Sequence, residues 1–195
     1  MSLAFLSPRA VDAVARSPME RQARQAGARF EVRDGWNVAV EYASRPGAVA
    51  WADVSHLPKW ELDGVSAPFG TAPREGDGWL CPLTATRALL IGGSEPAGDP
   101  LEVTCNYAAL TILGERARET IARFCALDLR PSVSPPGSFR PGSVARQPGM
   151  IVVEAPDRFL LLFGWALGEY MWTVVRDAAE HLGGAPVGVE ALRDA

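Results

Sequence analysis

The sequence has few residues of the kinds that bind metals. It contains two histidines and three cysteines in 195 residues, and Cys81, Cys105 and Cys125 are far apart. None of them follows a Cys-Xaa-Xaa-Cys or His-Glu-Xaa-Xaa-His spacing, which places several ligands around one ion. We therefore expect no metal centre. An odd number of separated thiols is typical of reduced cysteines in a cytoplasmic protein.

Cofactor fingerprints and targeting segments are also lacking. Gly92-Gly93 is not followed by the Lys-Ser/Thr of a phosphate-binding loop, and no flavin or dinucleotide motif occurs. A formal net charge of −4 gives no basic surface for nucleic acid. The apolar runs are too short to span a membrane, and the first residues do not read as a signal peptide. We expect a cytoplasmic protein with no membrane segment and no cofactor of its own.

The most informative stretch changes its hydrophobic period at Gly114. Residues 109–113 form a short apolar run rich in strand formers. After the glycine, apolar residues recur at helical spacing: Ala117, Ile121, Phe124 and Cys125. The pattern predicts a strand, a tight turn and an amphipathic helix, with Ile121 and Phe124 buried against a sheet. Arg118 is expected on the charged face of that helix.

Alternating apolar residues predict strand pairs on both sides of this unit. They cover 29–43, 48–64, 79–92 and 149–163. A helix is predicted over 169–182, a leader of short helices over 1–28, and a proline-rich loop over 132–149. The remainder, 29–195, is expected to be one domain with halves at about 29–97 and 101–195. The predicted class is α+β, with antiparallel sheets covered by helices on one face.

Two motifs give the sequence a family resemblance. Gly114-Glu-Arg-Ala-Arg118 is followed by Phe124-Cys-Ala-Leu-Asp-Leu-Arg-Pro131, and the chain closes on Pro186-Val-Gly-Val-Glu-Ala-Leu-Arg193. Together they resemble the gamma subunit of heterotetrameric sarcosine oxidase, which belongs to the superfamily of the glycine-cleavage T-protein, the folate-dependent aminomethyltransferases. The similarity is distinctive over 101–193. It implies a fold like the folate-binding domain of the T-protein.

Residues 48–64 resemble the strand that opens the T-protein catalytic core, which lies near the substrate channel in that family. Asp53, Ser55 and His56 are close in sequence, but neighbours on a strand point to alternate faces and do not predict a catalytic triad. Because the resembling strand lies near the substrate channel, the resemblance makes His56 the first candidate for ligand contact. No catalytic residue is assigned. The candidate ligand-binding residues are Asp53, His56, Trp60, Asp63, Trp165 and Tyr170.

The resemblance breaks off where the family carries its folate-binding aspartate. The corresponding region is short and rich in glycine and proline here, and Asp63 and Asp77 lie nearest in unmatched loops. The resemblance then implies a non-catalytic subunit of an oxidase complex of one-carbon metabolism, with flavin only on larger oxidase subunits. In that case residues 101–114 and the proline-rich loop should be exposed.

Two other interpretations stay open. One is a compact aminomethyltransferase-like enzyme that binds a pterin such as tetrahydrofolate, or another small molecule, in its core cleft. The other is a domain kept for protein interaction alone. Self-association into a homo-oligomer is compatible with any of the three.

Overall fold

The computed structural model describes residues 13–43, 45, 47–65 and 67–193. Their strands are β1 Ala15–Arg16, β2 Arg29–Arg33, β3 Trp36–Glu41, β4 Ala50–Asp53, β5 Lys59–Asp63, β6 Arg74–Glu75, β7 Gly78–Pro82, β8 Arg87–Ile91, β9 Leu101–Glu102, β10 Tyr107–Leu113, β11 Ser138–Val144, β12 Gln147–Ala155, β13 Arg158–Gly164 and β14 Ala185–Pro186. The helices are α1 Glu20–Gln25, α2 Ala117–Ala122 and α3 Gly168–Glu180.

The strands form three sheets. Six strands are ordered β11-β12-β13-β10-β4-β14, five are ordered β6-β7-β8-β5-β9, and three are ordered β1-β3-β2. All pairs are antiparallel except β1 with β3 and β4 with β14. No helix in the described part of the chain is long and apolar enough to cross a membrane.

Strand β10 lies inside the six-stranded sheet and is buried on both faces. Leu110 and Ile112 point to one face, where they join a core with residues of α1, α2 and α3. Ala109 points to the other face and packs with Cys81 and Leu89 of the five-stranded sheet. Helices therefore cover one face of the sheet and a second sheet covers the other, which confirms the predicted α+β class.

The predicted strand, turn and helix around Gly114 are confirmed, although the helix is short. Gly114 has φ 110°, and a side chain there would place Cβ 2.5 Å from the carbonyl oxygen of Ala48. Helix α2 ends at Ala122, so Phe124 lies beyond the helix and not on its predicted apolar face. Ile121 is buried as expected, whereas Phe124 is only partly buried.

The predicted charged face of α2 is wrong at one position. The guanidinium of Arg118 lies 4.9 Å from the centre of the Phe159 ring and donates a 2.9 Å hydrogen bond to the carbonyl of Pro156. Its stem therefore covers part of the apolar core, as long cationic side chains often do. We now expect Arg118→Ala to remove packing as well as charge.

The strand pairs predicted in 29–43, 79–92 and 149–163 and the helix near residue 170 are confirmed. The two strands predicted in 48–64 are present, but β4 and β5 lie in different sheets and do not pair. Asp34 and Gly35 have φ 49° and 78°, the conformation of a tight β2–β3 turn. Five strands were not predicted: β1 inside the helical leader, β11 inside the proline-rich loop, and the two-residue strands β6, β9 and β14. Helix α1 follows the Ser17-Pro18 start signal, while the earlier start at Ser7-Pro8 lies outside the described residues. The division into halves 29–97 and 101–195 stays a prediction.

Candidate functional site

The loop from β4 to β5 passes from the six-stranded to the five-stranded sheet. Asp53 ends β4, Pro58 precedes β5, and Lys59 is the first residue of β5. Proline has no N–H to donate to a ladder, so it fits the joint between two strands. The crossing sets His56 at the junction, between the hairpin β2–β3 and the strand pair β5–β9.

A fully buried lysine holds this loop from inside. The Lys59 ammonium donates hydrogen bonds of 2.9 Å and 2.7 Å to the carbonyl oxygens of Ser55 and Leu57, and its backbone N–H donates to Thr104 Oγ1 at 3.0 Å. Burial lowers the pKa of Lys59 to about 8, while the nearby Asp53 acts in the opposite direction. At pH 7 the lysine is therefore mostly charged, and it fixes the path of the loop.

The Asp53 carboxylate and the Ser55 hydroxyl serve the same loop. Asp53 Oδ1 accepts a 3.0 Å hydrogen bond from the Ser55 backbone N–H, and burial raises the pKa of Asp53. Ser55 Oγ accepts a 3.1 Å hydrogen bond from the backbone N–H of Ala109 on β10. No hydrogen bond joins His56 to either side chain within the described ranges. Asp53 and Ser55 have structural partners, and the three residues do not form a triad.

His56 borders the cavity that we take as the candidate site. The cavity has a volume of about 570 Å³ and is lined by Arg33, Asp34, Trp36, His56, Leu57, Pro58, Trp60, Glu102 and Thr104. Burial, followed by the positive charges of Lys59 and Arg33, lowers the pKa of His56 to about 4. His56 is therefore neutral at pH 7, and it offers a hydrogen bond rather than a charge.

Two carboxylates in this cavity were not selected from the sequence. Glu102 lies directly opposite Trp60 where β9 pairs with β5, and Asp34 lies in the β2–β3 turn. Both are exposed and line the same cavity. The sequence signal for Asp34 was its place in a tight turn, but nothing local connects Glu102 with Trp60.

The structure brings some of the predicted site residues together and separates others. His56 and Trp60 share the cavity, and Asp53 meets His56 in an adjoining pocket of only about 10 Å³. Trp165 lies behind the cavity wall, where its ring packs edge-on against Trp36 at 5.9 Å. Asp63 is at the far end of β5, its side chain is 89% exposed, and it pairs with Arg87 at 3.5 Å.

Tyr170 belongs to a different cavity. Its hydroxyl donates a 2.9 Å hydrogen bond to the carbonyl of Ala145, and it lines a space of about 560 Å³ beside the end of α2. A third cavity, of about 520 Å³, lies on the other side of α2 around Arg118 and Asp157. Among the residues that the structure describes, no three His, Cys, Asp or Glu side chains are grouped to hold a metal ion.

Comparison with known proteins identifies the fold. No protein-family model matches the chain, and no curated sequence matches it. One chain of heterotetrameric sarcosine oxidase from Corynebacterium sp. U-96, in complex with pyrrole 2-carboxylate, superposes with a TM-score of 0.69 at 18% identity, covering 89% of this chain and 99% of that one.

The glycine cleavage system aminomethyltransferase T from Bartonella henselae is similar to the same degree. It gives a TM-score of 0.69 at 14% identity over 92% of this chain, which spans only 61% of the aminomethyltransferase. At these identities the similarity concerns the backbone. The chain therefore has the α+β fold that is shared by a chain of heterotetrameric sarcosine oxidase and by the glycine-cleavage aminomethyltransferase.

Proposed function

We propose that this chain is a non-catalytic, gamma-like subunit of a sarcosine-oxidase-type complex. The observation that carries the proposal is the extent of the two superpositions. This chain covers 99% of one chain of an oxidase that is itself a heterotetramer, but only 61% of the aminomethyltransferase chain. The motifs at 114–118 and 124–131, which resemble those of the gamma subunit, support the same choice.

The chemistry of the candidate site also favours a non-catalytic role. Asp53, Ser55 and Lys59 are engaged in holding their own loop. His56 is neutral at pH 7, and no described acid or nucleophile is hydrogen-bonded to it. A general acid or base works best when its pKa lies near the operating pH, and the pKa of His56, about 4, makes it a weak base. In this proposal flavin and the oxidation of the amine lie on larger partner subunits.

A surface for such a partner is present on two neighbouring loops. Phe69 is 67% exposed and Val133 is 41% exposed, both large apolar side chains. Arg140 joins the loops, since its guanidinium donates to the carbonyls of Gly70 and Val133, each at 2.7 Å. Exposed apolar groups on a fixed backbone are typical of protein contacts. We assign this Phe69–Val133 surface to the larger oxidase subunit.

The exposure expected for a partner-binding subunit is met only in part. In the proline-rich segment Val133, Pro135 and Pro136 are exposed, whereas Phe139 and Val144 on β11 are buried. Leu101 is exposed too, but β10 is buried inside the six-stranded sheet, because it pairs with strands on both sides. Residues 107–113 are therefore core, and the Phe69–Val133 surface is the better candidate contact.

Co-expression with the neighbouring reading frames tests the proposal. Gel filtration should show this chain in one peak with the larger subunits, and Phe69→Asp should move it to a separate, smaller peak. Val32→Asp is the matched control, since Val32 is 62% exposed and lies on β2 of the three-stranded sheet, not on either of these loops. Separate elution of the unaltered chain would overturn the subunit proposal. Assembly of Phe69→Asp would overturn only the choice of surface.

A compact aminomethyltransferase-like enzyme is the second candidate, and the cavity beside His56 favours it. Trp60 and Trp36 offer aromatic walls, and Glu102 offers a carboxylate of the kind that pairs with a pterin ring edge. Tetrahydrofolate titrated into the isolated chain separates the two proposals. We expect millimolar affinity or weaker, since stacking of order 1 kcal/mol per ring must offset lost ligand freedom. Micromolar binding that His56→Ala abolishes would favour the enzyme.

A further inference from the structure

The residues that line the cavity beside His56 favour a positively charged ligand. We propose that it binds a small organic cation, an alkylammonium group held between Trp36, Trp60 and the carboxylates of Asp34 and Glu102. The inference goes beyond the proposed subunit role and does not depend on it, because it concerns a site in this chain alone. It is built on the charge, the walls and the size of the cavity.

The charges that face the cavity leave an excess of negative charge. Asp34 and Glu102 take part in no ion pair in the described part of the chain. Arg33 also lines the cavity, but its guanidinium already pairs with Glu31 at 2.8 Å and with Glu190. A cationic ligand therefore finds two available carboxylates, while an anionic one finds no free positive side chain.

The remaining titratable neighbours do not reverse that balance. His56 is neutral at pH 7. The Lys59 ammonium lies behind the loop on the carbonyls of Ser55 and Leu57, and Asp53 acts on its charge more strongly than Glu102 does. The same balance disfavours zwitterions such as free amino acids, because their carboxylate would lack a partner.

The walls suit an ammonium group better than a metal ion. Indole rings attract cations through their electron-rich faces, most strongly in desolvated sites. Glu102 and Trp60 are cross-strand neighbours in the β5–β9 register, which places a carboxylate beside an indole. Trp36 is fixed from behind by Trp165. A bare divalent ion prefers a shell of oxygen ligands, which these aromatic walls do not supply.

The cavity is large enough and sufficiently fixed for a small molecule. Its volume of about 570 Å³ falls within the range of small-molecule sites, roughly 300–1,000 Å³. The floor is held by Lys59 and the β5–β9 ladder, and the β2–β3 turn closes one side. Little ordering is needed on binding, so even weak contacts can give measurable affinity.

Choline and its neutral carbon isostere 3,3-dimethyl-1-butanol provide the test, by calorimetric titration of the isolated full chain at low salt. The two probes have nearly the same shape and differ in charge. We expect choline to bind in the millimolar range or tighter, and the neutral isostere at least roughly fivefold more weakly. Equal binding of both would show a merely apolar pocket and overturn the proposal, as would no binding of choline.

Two charge-removing variants locate the site. Glu102→Gln and Asp34→Asn should each weaken choline binding by roughly threefold to tenfold, and Asn keeps the turn because it tolerates positive φ. The matched control is Glu75→Gln, an exposed carboxylate on β6 outside the cavity. Unchanged affinity in both cavity variants, or an equal loss in Glu75→Gln, contradicts the assignment. Tetrahydrofolate binding that Trp60→Leu abolishes would assign the cavity to a pterin instead. None of these outcomes alters the gel-filtration test of assembly.

Discussion

Lys59 and Arg140 perform the same task in opposite surroundings. Each cation donates to several backbone carbonyls, Lys59 to those of Ser55 and Leu57, Arg140 to those of Gly70, Phe139 and Val133. Lys59 is fully buried beneath the cavity, whereas Arg140 is partly exposed beneath the Phe69–Val133 surface. The comparison shows how one kind of contact fixes two loops whose proposed roles differ.

The difference in burial gives the two cations different properties. Burial lowers the pKa of Lys59 to about 8, so its charge can be lost near physiological pH. An arginine keeps its charge at any ordinary pH, and its planar group suits several carbonyls at once. The loop at the cavity therefore depends on a titratable group, and the loops at the apolar surface do not.

The largest effect is expected from Lys59→Met. The substitution leaves the carbonyls of Ser55 and Leu57 without donors and Asp53 without its buried counter-charge. At about 1–3 kcal/mol for each acceptor left unsatisfied, the free energy of unfolding should fall by about 2–5 kcal/mol. Urea denaturation followed by circular dichroism measures it. A loss below about 1 kcal/mol would mean that the loop holds its path without the lysine.

Arg140→Met is the matched variant for the second pair of loops. It removes donors to Gly70, Val133 and the Ser134 hydroxyl, but water can reach part of the site and replace them. The expected loss is about 1–2 kcal/mol, smaller than for Lys59→Met. If Arg140→Met lowers the free energy of unfolding more than Lys59→Met does, the difference in burial does not determine how much each cation contributes.

The pH dependence of stability should reveal Lys59 directly. Its pKa is lower in the folded chain, at about 8, than the ordinary value of 10.5, so between these values the unfolded chain binds more protons. The free energy of unfolding should therefore rise with pH in this window, by up to about 1 kcal/mol between pH 8 and 9. Lys59→Met should lose that rise, and Arg140→Met should keep it.

The window ends near pH 9 because other groups oppose the trend above it. Burial raises the pKa of the Cys81 thiol and of the Tyr42 hydroxyl, so stability falls where their unfolded forms ionise. The difference between the wild-type chain and Lys59→Met removes these common contributions. A flat difference from pH 8 to 9 would contradict the assigned titration of Lys59.

The smallest effect on stability is expected from Phe69→Asp. Phe69→Asp changes an exposed side chain that Arg140 does not contact through hydrogen bonds, so the free energy of unfolding should stay within about 0.5 kcal/mol. Thermal melts of the isolated chain check this, with Val32→Asp beside it. A large loss would identify Phe69 as a structural residue and weaken its use in the assembly test.

The elements that the sequence predicted are those whose signals are local. The change of period at Gly114 and the alternating strands of 29–43 each depend on residues close in sequence, and the structure has both. Strand β11 was missed because proline and glycine dominate its surroundings. Pro141 is tolerated there since β11 is the edge strand of its sheet.

The site was predicted only where one short segment of the chain carries it. His56 and Trp60 lie on the same short segment, so the motif at 48–64 found both. Glu102 reaches Trp60 through the β5–β9 pairing, a contact between distant parts of the chain that no local pattern encodes. The contact between Arg118 and the Phe159 ring also joins distant parts of the chain, so no local pattern predicted it.

The central claim is that this chain is a subunit that leaves the chemistry to its partners. Light scattering combined with visible absorbance, on the chain alone and on the chain co-expressed with its neighbouring reading frames, tests it most directly. The account predicts a flavin-free isolated chain and a single heteromeric peak that carries both flavin absorbance and this chain. An isolated chain that binds flavin, or one that stays out of the flavin-bearing peak, would contradict it.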